Sequence, residues 1–88
     1  MNRTEFVQML TDEHFGEVVT VSRAADGFLG THAHPFEAKA LILQGELRLQ
    51  VGASEQVYQA GQVFHLRANE PHSEFYGPDG VEYLVGRK

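Results

Sequence analysis

The sequence predicts an all-β domain, an antiparallel sandwich or barrel preceded by one short helix. Three observations lead there. Short stretches rich in β-branched and aromatic residues recur at even spacing along most of the chain, with glycine-containing turns between them. In Glu46–Val51, apolar Leu47, Leu49 and Val51 alternate with polar Arg48 and Gln50, the pattern of a strand with one wet face. The stretch with helical spacing lies at the N-terminus.

That helix is expected over about residues 3–14. Asn2-Arg-Thr-Glu5 has the form of a capping box, with an acceptor side chain at the N-cap and a glutamate three residues on. Phe6, Met9 and Leu10 then fall on one narrow stripe, which would lie on the sheet or on a second subunit. His14 is read as a polar residue at the helix end, where the helix dipole mildly favours a cation.

Glu17–Ser22 is β-branched and bounded by Gly16 and the Asp26-Gly27 turn, so it reads as a strand, and Phe28–His34 follows it. Lys39–Leu43 and Glu46–Val51 flank Gln44-Gly45 as a hairpin. Gln56–Gln59 is a further short strand, Ala60-Gly61 a corner, and Ser73–Tyr76 and Val81–Val85 are joined by a Gly77-Pro-Asp-Gly80 turn. Leu41, Leu43, Leu47, Leu49, Val63, Phe64, Leu66, Phe75 and Tyr83 are the expected core; Tyr58, Tyr76 and Tyr83 are expected to pack with wet hydroxyls. The β part spans about residues 17–86. No repeat, linker or low-complexity tract interrupts the chain, which reads as one domain over 1–88.

A chain of 88 residues buries only about two-thirds of its unfolded surface, so the core is marginal without a disulfide, a metal or a partner copy. Cysteine is absent, which leaves metal and oligomer. The formal charge of −5 argues against nucleic acid and anionic membrane surfaces as partners. No apolar run reaches membrane-spanning length and no export signal is visible, so a cytoplasmic location is the expectation.

The chemistry concentrates in two stretches. In Gly30-Thr-His-Ala-His-Pro-Phe-Glu, His32 and His34 stand two residues apart, and in a strand that spacing sends both imidazoles to one face. Pro35 removes a ladder donor just beyond, as at an edge, rim or bulge. In Gly61-Gln-Val-Phe-His-Leu-Arg-Ala-Asn-Glu-Pro-His72, a turn glycine opens a short apolar strand; a polar turn with Asn69 and then Pro71 precede His72.

Together these stretches resemble the paired signature motifs of the cupin superfamily, over about Phe28 to Phe75. The first motif falls on His32, His34, Ala38 and Gly45, the second on Gly61, Arg67, Asn69 and His72. The resemblance implies a small jelly-roll β-barrel with the histidines pointing into its mouth, and it implies His32, His34 and His72 as metal ligands. Two departures stand out. Ala38 occupies the position where the family carries a carboxylate or amide ligand, and Arg67 and Asn69 replace the turn proline and glycine. Asn tolerates a positive φ, so the turn should survive.

Glu37 and His65 are the candidate catalytic residues. Alternation points Glu37 away from the face of His34 unless a bulge at Pro35 shifts the register, in which case it becomes a ligand. His65 reads either as a proton-transfer or substrate-contacting group or as a hydrogen-bonded histidine of the sheet. Phe36 is a candidate pocket wall. Three neutral imidazoles suit a divalent transition ion: zinc, iron, nickel, manganese or copper.

With Ala38 donating nothing, such a centre would keep its charge and an open position for a small polar metabolite. The family includes dioxygenases, isomerases and decarboxylases as well as non-enzymatic binders, and hydrolysis is within reach of a metal-bound water, so two readings stand: an enzyme, or a small-molecule-binding or sensor protein. A third reading is a metal-free structural dimer. A homodimer is expected from the size of the chain and from the resemblance.

Overall fold

The computed structural model describes every residue from Met1 to Lys88. The capping box forms as written: Asn2 Oδ1 accepts from the Glu5 backbone at 2.9 Å, and Asn2 N donates to Glu5 Oε1 at 3.2 Å. It starts helix α1 (Arg3–Asp12), which ends two residues before the expected boundary. Six strands follow: β1 (Gly16–Arg23), β2 (Phe28–His32), β3 (Ala38–Val51), β4 (Ser54–Gln59), β5 (Val63–Leu66) and β6 (His72–Arg87).

The long strands β3 and β6 organise the rest. They pair antiparallel with each other, Ala38–Gly45 against Val81–Arg87 and Leu47–Gln50 against Ser73–Tyr76. Along the first half β6 also pairs with β1 and β3 with β5; along the second half β6 pairs with β2 and β3 with β4. The sheet thus wraps into an open barrel of two four-stranded layers, β1-β6-β3-β5 and β2-β6-β3-β4, that share both long strands.

This corrects two expectations. Gln44-Gly45 is not a hairpin turn, and Gly77-Pro-Asp-Gly80 does not divide two strands; each lies inside one long strand at the bend between the layers. Gly45 has φ +81° and Gly80 φ +73°, and a Cβ on Gly45 would lie 2.1 Å from the Gly80 carbonyl oxygen. Glycine is required there because two bent backbones touch.

The main core lies between the layers and includes Ala38, Ala40, Ile42, Leu47, Leu49, Phe64, Leu66, Tyr83 and Val85. A second cluster lies outside it, where Phe6 and Leu10 of α1 and Phe15 cover Leu41 and Leu84. The helix stripe therefore rests on the chain's own sheet. Leu10 fits because Gly86 lacks a side chain: a Cβ there would sit 2.8 Å from both Leu10 methyls. The expected core is corrected in phase. Leu41, Leu43 and Val63 face the helix, with the smaller Ala38 and Ala40 turned inward, and Phe75 lies only half-buried beneath the exposed Phe28. No helix is long and apolar enough to cross a membrane.

Candidate metal centre

Cross-strand pairing and one turn assemble the histidines. His32 ends β2 directly opposite His72, which opens β6, so their rings meet with centroids 4.2 Å apart. His34 lies beyond β2, in the bend before β3, and is held from the second motif: Asn69, in the left-handed conformation at φ +61°, donates its N–H to the His34 carbonyl at 2.6 Å. Arg67 and Glu70 close that turn, with the Arg67 N–H on Glu70 Oε1 at 3.1 Å. The three imidazoles come together so that one nitrogen from each lies within 4.8 Å of the others.

Hydrogen bonding fixes which nitrogens face inward. His32 Nδ1 lies 2.7 Å from the Gly30 carbonyl, and His72 Nδ1 lies 2.9 Å from the Glu70 carbonyl. A carbonyl only accepts, so each Nδ1 carries a proton, and in the neutral ring each Nε2 is the nitrogen free to coordinate. His32 Nε2 is buried with no hydrogen-bond partner. His34 stacks on Phe36 at 4.9 Å and 11°. Burial first, then the neighbouring His32, His72 and Arg87, hold the His34 pKa below the usual histidine value. Three imidazoles converging on one point, one of them with a buried nitrogen that meets no hydrogen-bond partner, form a donor set of the kind that suits a divalent transition ion.

The histidines stand at one side of a cavity of about 90 Å³. Phe36, Ala38, Phe64, Leu66 and Val85 give it apolar walls. Arg23, Glu74, Tyr83 and Arg87 give it polar ones. Arg87 stacks over Phe36 at 4.9 Å, and its Nε is buried without a partner. Glu74 is 5% exposed, accepts from the Tyr83 hydroxyl at 3.4 Å and places Oε2 3.6 Å from His32 Nε2. Burial, and then the Glu74 carboxylate, raise the Tyr83 pKa above the ordinary phenol value, so its hydroxyl stays a donor. Tyr83 is thus a buried cavity residue and not one with a wet hydroxyl.

Glu37 and His65 are brought to each other and not to the triad. His65 Nε2 and Glu37 Oε2 meet at 2.5 Å, Lys88 Nζ stands 3.9 Å from the same carboxylate, and neither residue lines the cavity. The hydrogen bond from His65, with help from Lys88 and Lys39, holds the Glu37 pKa below the usual carboxylate value. Sequence reasoning passed over Glu74, although a signal was present. It stands two residues after His72, and the period of a strand puts both side chains on one face.

A family model described as a cupin domain matches residues 18–82. The chain belongs to the cupins. Solved structures show the same fold at low identity. A DMSP lyase, DddQ from Ruegeria pomeroyi, superposes with a TM-score of 0.75 at 22% identity, over 81% of this chain and 36% of its own. KdgF from a Halomonas species gives 0.68 at 15%, over 80% of this chain and 67% of its own. A conserved protein of unknown function from Streptococcus pyogenes, SPY1581, gives 0.70 at 21%, over 80% of this cupin and 60% of that protein. No curated protein matches the chain.

Proposed function

We propose that this cupin holds a divalent transition ion on His32, His34 and His72 and there binds, and acts on, a small metabolite bearing a carboxylate or similar oxyanion. The observation that carries the reading is the buried Nε2 of His32, which meets no hydrogen-bond partner, is turned inward by the bond from Nδ1 to Gly30 and converges with two further imidazoles. An ion held there supplies Lewis acidity, or redox chemistry if it is a redox-active metal.

The protein's own groups do the rest. Gly30 and Glu70 carbonyls orient two ligand rings, and Phe36 supports the third. Arg23 and Arg87 bring positive charge to the same cavity, where a carboxylate would receive the donors that Arg87 Nε offers to no protein group. The cavity has room for roughly half a dozen water-sized groups at about 10–15 Å³ each, which limits the ligand to a few heavy atoms unless it projects from the mouth. A DMSP lyase shares this fold, which favours an enzyme over a non-catalytic binder.

The test is elemental analysis of untagged protein beside the His72→Ala variant. Wild type should carry close to one equivalent of a transition metal and the variant a small fraction of it; equal contents in the two would overturn the reading. Calorimetry of the metal-loaded protein with a panel of short carboxylic acids then identifies the ligand class. A homodimer is part of the same proposal, since a short chain without cysteine gains stability from a partner copy. A monomer by sedimentation at micromolar concentration would overturn it.

A further inference from the structure

We infer that Glu74 is a fourth protein ligand of this centre, the carboxylate having moved from the position of Ala38 on β3 to β6. The inference rests on the metal reading above and concerns a residue that the family's motifs do not assign.

Ala38 lines the cavity and has no donor atom. Across the cavity Glu74 is buried, and its one hydrogen bond, from Tyr83, is long at 3.4 Å and occupies only Oε1. A buried carboxylate without strong partners is costly. Its other oxygen faces His32 Nε2 at 3.6 Å, beyond hydrogen-bonding distance. The Nδ1–Gly30 bond turns that nitrogen towards the carboxylate, and in the neutral ring the two atoms face each other in a buried place with no hydrogen bond between them.

A shared cation relieves both. Two atoms that each bind a zinc-sized ion at ~2.0–2.2 Å stand about 3.0–3.5 Å apart in tetrahedral or octahedral geometry, close to the separation between these two. Strand geometry supplies the rest: His72 and Glu74 project from one face of β6, and His32 is the cross-strand partner of His72. The consequence is a three-histidine, one-carboxylate centre of lower net charge than the histidines alone would give. Its anionic ligand is adjacent to Tyr83, whose hydroxyl orients the carboxylate.

The experiment uses Co(II) as the probe on untagged, metal-free protein: wild type, Glu74→Gln, Tyr83→Phe and His72→Ala. Affinity is read by competition with a chromophoric chelator and ligand geometry by the cobalt d–d spectrum. Circular dichroism before loading checks that each variant is folded. Glu74→Gln should bind at least ~10-fold more weakly with an altered d–d spectrum, and Tyr83→Phe should keep the wild-type spectrum with a smaller loss.

Anomalous diffraction from cobalt-loaded wild-type crystals should place a Glu74 oxygen ~2.0–2.2 Å from the ion. Cobalt bound by wild type with Glu74 remote, or an unchanged affinity and spectrum in folded Glu74→Gln, overturns the inference and leaves the three-histidine centre standing. No cobalt uptake by wild type overturns both. If Glu74→Gln does not fold, the position of Glu74 in the wild-type crystal decides.

Discussion

Replacing Gly45 with alanine tests whether the crossing of β3 and β6 holds the two layers together. Gly45 and Gly52 are a matched pair, with φ of +81° and +58°, so alanine meets left-handed strain at both. That strain costs about 1–2 kcal/mol, offset by up to about 1 kcal/mol from the stiffer unfolded chain. Their surroundings differ. A Cβ at Gly52 touches nothing within 4 Å, whereas at Gly45 it would lie 2.1 Å from the Gly80 oxygen and 2.9 Å from Val81 Cα.

Relieving that overlap means separating two paired backbones by about 1 Å, and overpacking of this kind adds roughly 1–3 kcal/mol or more. Gly52→Ala should therefore cost about 1 kcal/mol and Gly45→Ala about 3–4, out of a total of roughly 4–13 kcal/mol for a chain of this size. In thermal melts followed by circular dichroism the first should lower Tm by about 4–8 °C and the second by at least about 12 °C, or leave the chain unfolded. Because the bend sets Arg87 and Tyr83 against the histidines, folded Gly45→Ala should also bind cobalt and small acids less tightly. Equal Tm losses in the two variants would refute the reasoning.

Acidification should destabilise the metal-free protein. His34 has a folded pKa below the ordinary value of 6.5, so the unfolded chain takes up its proton first; stability is fully present above about pH 6.5 and falls as the pH drops towards the folded pKa. Glu37, lowered from 4.5 chiefly by its bond to His65, adds a loss of the same sign below about pH 4.5. Urea midpoints from pH 8 to 4 check this, and a flat profile would contradict it. Arg87→Met should weaken binding of short carboxylates ~10-fold or more while leaving cobalt affinity within ~3-fold, by calorimetry on the loaded protein. Glu37→Gln and His65→Ala, whose mutual hydrogen bond lies outside the cavity, should leave cobalt binding within ~2-fold; a 10-fold loss in either would reinstate them at the centre.

The parts of the fold legible in the sequence are those decided locally. Asn2 and Glu5 cap the helix they predict, and Asn69 takes the positive φ its turn demands. The three histidines converge, as their motifs imply. What escaped reading was decided by distant neighbours. Gln44-Gly45 and Gly77-Pro-Asp-Gly80 carry turn chemistry, but whether a glycine reverses a strand or bends it depends on what crosses it, and here the two stretches cross each other. In β3 both faces are apolar, since one lies under α1 and the other lines the barrel, so period-two patterning could not say that Ala38 and Ala40 face inward. Glu74 has the pattern of any polar strand residue, and its burial beside His32 is decided by the strands that cross there.

One strand serves the cavity twice. β6 contributes His72 and Glu74 before its bend and Tyr83, Val85 and Arg87 after it. Side chains alternate along a strand, so inserting or deleting one residue within 77–80 would turn the later group outward while the earlier one kept its place. The length of that short segment therefore sets which side chains of the far half of β6 face the histidines: a change of one residue there would rebuild that wall of the cavity while His72 kept its place.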